Sequence, residues 1–475
     1  MRNSLSIGKR GAGSVLAGVR HRAGAFLAIC VFIIVLNIQG VLVRNTGVSF
    51  LNSIDELFLL ILFLFLSVAY LYNGTFHISL EKHFKYFLLF LFISVASVFL
   101  NSNNVLYGVF GFIEVTKGYM AYVIGRHLLL SHKKIILLEK LVLGLILLHI
   151  FVGFLQELLG GSLLNFFIDR VDVRYGITRV SGLFTSVNVY ADYMVFFLAL
   201  ILGYRIVGVK ISRKKFFALI GIGVVGIVLT VSRQAIAGLM IAVMLSALHI
   251  YGVSLFVKLK KLLVFFVIMI VIIFAGITSN AGNKQYTVIP EGEYLRYYAT
   301  FKSLEILSDH PFVGVGGGYF GGSTARIFNN SKIYDEYDFK FGGFSFEEMA
   351  TIDTLWPQIW AEYGSLGLLF YLFIFLSILR YNKKCFHVAP RGVRAYCWAL
   401  HVIVIYLLVT SFAGPKLTNP VIACFFMLQI GLVQAFIKNK ILLQIEVNTI
   451  RYVSMKHQQK GFLESESPIR RIKYE

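Results

Sequence analysis

Residues Ala23 to Val43 read AGAFLAICVFIIVLNIQGVLV, an unbroken apolar run without a charged side chain. As a helix it is long enough to cross the roughly 30 Å hydrocarbon core of a bilayer. Arg2, Lys9, Arg10, Arg20 and Arg22 precede it with no acid among them, and no small-residue cleavage site follows. The run therefore reads as an uncleaved first span and not as a signal peptide. Similar runs recur at about 57–72, 86–100, 105–124, 137–158, 188–206, 216–231, 235–252, 262–277, 358–379, 395–412 and 420–437. They are continuous and not alternating, which argues for helices and against a barrel. The fold class expected is an all-α polytopic membrane protein with about twelve transmembrane helices.

Composition agrees. Of 475 residues, 57% are apolar and only 15% charged, where a soluble chain carries about 25% charge. The mean hydropathy is +0.76. A soluble globular enzyme is excluded, and 44 Phe and 25 Tyr exclude a disordered chain. The net charge of +21 does not point to nucleic acid, because no basic helix with interleaved aromatics lies outside the apolar runs. It reflects instead the bias of Lys and Arg towards cytoplasmic loops. With the N-terminus inside, the basic groups Arg126/Lys133/Lys134, Arg205/Lys210/Arg213/Lys214/Lys215, Lys258/Lys260/Lys261 and Arg380/Lys383/Lys384/Arg391/Arg394 all fall on that side, as does the C-terminal tail. Both termini are expected in the cytoplasm. The organisation is then a basic N-terminus (1–22), helices one to nine (23–277), a large external loop with short helices (278–357), helices ten to twelve (358–437) and a basic tail (438–475). The four cysteines form neither a metal spacing nor an external disulfide framework.

Charges inside spans are costly and are either paired or functional. Glu114 and Lys117, three apart, read as an internal ion pair. Asp192 opens a span near the outer face, where it could face a cavity. The outer arginines say more, because the inside bias of basic residues disfavours them there. Arg170, Arg174 and Arg179 share the loop at 159–187, Arg233 sits in the turn Ser232-Arg233-Gln234, and Arg296 opens an apparent helix in the large loop. Guanidinium forks match phosphate oxygens, so several that converge would make a diphosphate site. Each could instead pair with Asp169, Asp172, Glu291 or Glu293. The run Gly314-Val315-Gly316-Gly317-Gly318-Tyr319-Phe320-Gly321-Gly322 lacks the βαβ setting of a dinucleotide fingerprint; it reads as a turn or a backbone nest for an anion. Tyr334-Asp335-Glu336-Tyr337-Asp338 has oxygen ligands but no specific spacing, and no metal or other cofactor is expected.

Four segments in order resemble the O-antigen ligase and O-antigen polymerase superfamily, integral-membrane glycosyltransferases of bacterial envelopes. They are Thr178-Arg179-Val180-Ser181-Gly182-Leu183-Phe184 with Asn188 and Ala191, then Leu229-Thr230-Val231-Ser232-Arg233-Gln234-Ala235. The third runs from Arg296 through Lys302 to Asp309-His310-Pro311-Phe312-Val313-Gly314-Val315-Gly316, and the fourth is Trp360-Ala361-Glu362-Tyr363-Gly364-Ser365-Leu366-Gly367. The resemblance covers about 178–380. Ligases of the family carry a His-Asn pair eleven residues before the glycine matched by Gly364; this chain has Asp353-Thr354 there, which favours the polymerase branch.

The resemblance implies a type C, metal-independent enzyme at the outer face of a bacterial cytoplasmic (inner) membrane. It would transfer a growing glycan (O-antigen, capsule or exopolysaccharide) from undecaprenyl diphosphate to a lipid-linked repeat. It assigns Arg233, Arg296 and Asp353 to catalysis, with Asp353 as acceptor base. Arg179, Arg174, Lys302, His310, Gly316, Glu348 and Glu362 are assigned to substrate binding, and Glu348 and Glu362 are alternative bases. Membrane lipid and a chain-length regulator protein are candidate partners. Ligation of finished glycan to lipid A-core or protein is the alternative within the family. A lipid-linked oligosaccharide flippase is the alternative of another class.

Overall fold

The computed structural model describes residues 11–46, 57–63, 68, 81–101, 104–128, 130–160, 173–174, 177–252, 291–339 and 354–441. The expected span at 262–277, half of that at 57–72, and the candidates Glu348 and Asp353 lie outside the described residues. The helices are α1 (Gly11–Thr46), α2 (Lys82–Leu100), α3 (Val105–His127), α4 (His132–Leu159), α5 (Val187–Val207), α6 (Arg213–Val228), α7 (Arg233–Tyr251), α8 (Glu291–Asp309), α9 (Ser323–Ile327), α10 (Lys332–Glu336), α11 (Leu355–Val388), α12 (Arg391–Thr410) and α13 (Pro420–Ile441). Strands β1 (Val173–Arg174) and β2 (Ile177–Thr178) form a two-residue antiparallel ladder in register Val173 to Thr178.

Among the described residues, eight helices are long and apolar enough to cross a membrane: the Phe26–Thr46 part of α1, and α2, α4, α5, α7, α11, α12 and α13. The chain is thus a multi-pass membrane protein by length and composition. Local signals set the starts. Asn104, Ser131, Ser212 and Ser232 each accept a hydrogen bond from a first-turn amide of α3, α4, α6 and α7, which relieves donors that a helix start leaves open. α5, α12 and α13 are almost wholly buried, whereas α1, α2 and α4 keep exposed apolar faces. The former make the centre of the bundle and the latter its lipid-facing wall.

α3 and α13 approach so closely that a Cβ on Gly125 would lie 2.3 Å from the Leu428 carbonyl oxygen, and one on Gly431 would lie 2.2 Å from that of Tyr122. Small residues permit such backbone contact between membrane helices. Beside it, Glu81 accepts from Arg126 at 2.9 Å, Lys438 at 2.9 Å and His83 at 2.8 Å. One carboxylate thus ties the start of α2 to α3 and α13. Burial works to raise the Glu81 carboxyl, but the His83 hydrogen bond and the charges of Arg126 and Lys438 outweigh it and hold it well below the usual carboxylate range.

α11 is interrupted. Gly364 takes φ 66°, ψ −171°, outside the helical region and suited to glycine alone. A break inside a span frees backbone groups that lipid cannot satisfy. The segment 311–316 supplies partners: Val315 and Gly316 donate to the carbonyls of Ala361 and Glu362, and Ser365 and Leu366 donate to those of Pro311 and Phe312. Residues 291–339 then fold as a small module with its own core, which includes Ile306, Tyr319, Phe320 and Tyr334 and closes on Ala361 of α11.

The substitution Glu81→Gln should cost about 2 kcal/mol of stability. Because the folded carboxyl lies below the unfolded value, its contribution is complete above about pH 5 and is lost as pH falls further. In thermal unfolding in detergent, the gap between wild type and variant should not shrink from about pH 7 to pH 5.

Candidate functional site

The first two family-like segments meet. The Val180 amide donates to the Leu229 carbonyl at 3.3 Å. Arg179 is buried, and its Nε donates to the Thr230 carbonyl at 2.6 Å while one terminal nitrogen lies 3.4 Å from Asn188 Oδ1 in the first turn of α5. The turn Leu229–Ser232 carries Val231 at φ 49°, a left-handed conformation that a β-branched residue rarely takes. Thr230 holds it by accepting from the Ser232 amide at 3.2 Å. Arg233 comes immediately after, exposed, as the first residue of α7.

From this turn the connections run on to α11. Gln234 donates to the Thr410 carbonyl at 2.9 Å, and the Leu355 amide donates to the Ser411 carbonyl at 3.0 Å. The start of α11, two residues after Asp353 in sequence, is therefore tied to the same 410–411 turn as Gln234, the neighbour of Arg233. Below it lies a buried ion pair. Lys416 Nζ is 2.8 and 3.0 Å from the two oxygens of Asp192, and Tyr406 donates to Asp192 at 2.5 Å. The starts of α5, α7, α11 and α13 share this end. Helix N-termini carry partial positive charge; Arg179 and Arg233 lie at this end with them, while the charge of Lys416 is balanced by Asp192. Ser181 Oγ and Thr354 Oγ1 are buried here with no hydrogen-bond partner among the described residues, a rare state for a buried hydroxyl.

The third and fourth segments also meet, at the Gly364 break. Gly316 is buried in that stitching. Glu362 is fully buried and accepts from the amides of Gly318 at 2.8 Å and Phe320 at 3.1 Å and from Gln358 at 3.2 Å. The glycine run does form a backbone nest, and the group it holds is the chain's own Glu362 carboxyl. Glu114 does the same for α9, accepting from the Ser323 and Thr324 amides at 2.7 and 3.0 Å and from the Thr324 hydroxyl at 2.8 Å. That duty differs from the intrahelical pairing the sequence suggests for Glu114.

Lys302 lies on α8 and binds Glu305 at 2.7 Å, and that hydrogen bond holds its ammonium above the usual value. His310 follows the last residue of α8: its amide donates to the Ile306 carbonyl and its carbonyl accepts from the Gly314 amide. Arg296 stands on the α8 backbone and Arg174 on β1; their side chains, like Glu348 and Asp353, lie outside the described residues. Among the described residues no group of three or more His, Cys, Asp or Glu is placed to hold a metal ion. Sequence reasoning missed Lys416 and Tyr406, and named Gln234 only as part of the turn. Lys416 carries a signal of the same kind as the arginines, a lone base in the short connection between the last two spans on their side of the bundle. A scan against protein-family models and a search of curated proteins found no match to the chain.

Lys416→Met should destabilise by about 3–5 kcal/mol, because it leaves Asp192 buried without its counter-charge. The double variant Asp192→Asn with Lys416→Met should recover most of that loss in thermal unfolding, since it removes both charges together.

Proposed function

We propose that this chain is a membrane glycosyltransferase of the polysaccharide-polymerase kind. On this reading it moves a growing glycan from undecaprenyl diphosphate to a lipid-linked repeat at the external face of a bacterial cytoplasmic membrane. The observation that carries the reading is the placement of Arg179 and Arg233 beside one turn at an end of the bundle where four helix starts and Lys416 gather. Such an end stabilises the charge that grows on a departing diphosphate without needing a metal. In the step, the anomeric carbon–phosphate oxygen bond breaks and a bond to the acceptor hydroxyl oxygen forms. The hydroxyl proton passes to a carboxylate, assigned to Asp353, and undecaprenyl diphosphate leaves. Arg233 and Arg296 stabilise the leaving group; Arg179 and Arg174 bind it; Lys302, His310 and Glu348 contact sugar. For Gly316 and Glu362 the role becomes indirect, since their polar groups already hold the loop module to α11.

The ligase alternative involves the same chemistry with a different acceptor. The flippase alternative has an observation in its favour. Polar pairs lie inside the bundle, among them Asp192–Lys416, His149–Asn37 at 2.9 Å and His249–His401 at 3.0 Å, as a substrate path through a membrane would require.

The purified chain in liposomes, given a defined lipid-diphosphate-linked repeat, should produce a ladder of lengths. Arg233→Ala and Arg296→Lys should each lower the rate by about 10²–10³ with the melting temperature unchanged. One transfer to another acceptor would replace polymerase by ligase. Movement of the lipid between leaflets with no transfer would replace enzyme by transporter, and full activity in both folded variants would end the arginine assignment.

A further inference from the structure

α8 presents three faces. Ala299, Ser303 and Ile306 are buried against α11 and the module core, with Trp360 donating to Ser303 Oγ at 2.7 Å. Lys302, Glu305 and Asp309, spaced i, i+3, i+7, make a charged face. Phe301 and Leu304 lie on a third face, 66% and 46% exposed, and no core position of the module lies there. A soluble loop would bury such side chains or present them singly. Here two more stand at the module's edge: Phe312, 66% exposed, and Ile327, 71% exposed.

Both edges continue the lipid-facing wall of the bundle. Phe312 belongs to the stitched segment that meets the end of α2. There Ser97 and Asn101 donate to the Gly314 carbonyl at 3.2 and 2.9 Å. Phe99 and Leu100, the last residues of α2, are exposed beside it. Ile327 precedes Phe328, whose ring meets that of Phe110 on the exposed side of α3 at 5.3 Å. The apolar surface of α2 and α3 thus passes onto the module at two separate points, while Asp335 and Glu336 are exposed elsewhere on it.

We infer that the 291–339 module is an interfacial element. It is sunk into the leaflet nearest it, with Phe301, Leu304, Phe312 and Ile327 in the acyl–headgroup boundary and its acidic face in water. The partner is the lipid surface itself. Amphipathic helices lie in this plane when an apolar face and a charged face occur together. Trp360, a residue type favoured at that depth, sits at the level where α8 crosses α11. The module takes this position whichever reaction the protein performs.

The test uses the full chain in liposomes with a nitroxide on single added cysteines: Phe301→Cys, Leu304→Cys, Phe312→Cys and Ile327→Cys, with Glu305→Cys and Asp335→Cys as aqueous references. Wild type labelled alike sets the background from Cys30, the one native cysteine that is not buried. All of the substituted side chains are exposed, and an unchanged gel-filtration profile establishes that each variant folds. Accessibility to oxygen relative to a water-soluble nickel chelate should be several-fold higher at 301, 304, 312 and 327 than at 305 and 335. Equal ratios at all six positions would overturn the inference. So would labels at 301 and 312 that neither reagent reaches, since protein would then cover the face. Position 301 on the helix surface and position 312 in the stitched segment report independently, so disturbance at one leaves the other decisive.

Discussion

A helix that breaks within a membrane must find partners for the peptide groups it releases, because lipid offers none. The interruption of α11 at Gly364 meets that demand with the backbone of 311–316, which pairs on both sides of the break. This exchange brings a distant piece of chain into the bundle and obliges residues 317–339 to fold against it. Gly318 and Phe320 aim their amides at Glu362, and Ser323 and Thr324 aim theirs at Glu114. Two buried carboxylates, costly in themselves, become acceptable because backbone donors surround them. The module is thereby anchored to α3 and α11 by directed bonds as well as by its apolar core.

The other end-of-bundle feature depends on charge and not on backbone pairing. Arg179 is fixed by carbonyl and amide oxygens, Lys416 by Asp192, and the turn between α6 and α7 by Thr230. Each cation is held by a partner from a different element. Holding costs stability, since a buried ion pair seldom repays its desolvation. Retaining it where helix starts gather is intelligible if the end must receive a negative group, and the proposed function gives it one.

Much of the fold was legible because an apolar run of bilayer length has few other uses. The membrane-length helices among the described residues, and the break beside Ser232 that separates α6 from α7, could be read from residue type and spacing. The roles of single polar residues could not. Glu362 reads as a candidate for substrate, yet its oxygens face amides some forty positions back, a pairing that no local pattern announces. Glu114 and Lys117 sit at helical spacing, but Thr324 lies two hundred residues away. The ion pair at Asp192 was hidden in the same way, because Lys416 looks like an isolated base until the last two spans are placed beside α5. Long-range partners are what one sequence withholds.

The contact between Gly125 and Gly431 has a mechanical corollary. Two backbones that touch with no side chain between them sit at their closest separation, and the Glu81 cluster cross-links the same level. That end of the protein acts as a rivet. Separation of α3 from α13 is resisted at this end, as the arms of a clothes peg are held at its spring.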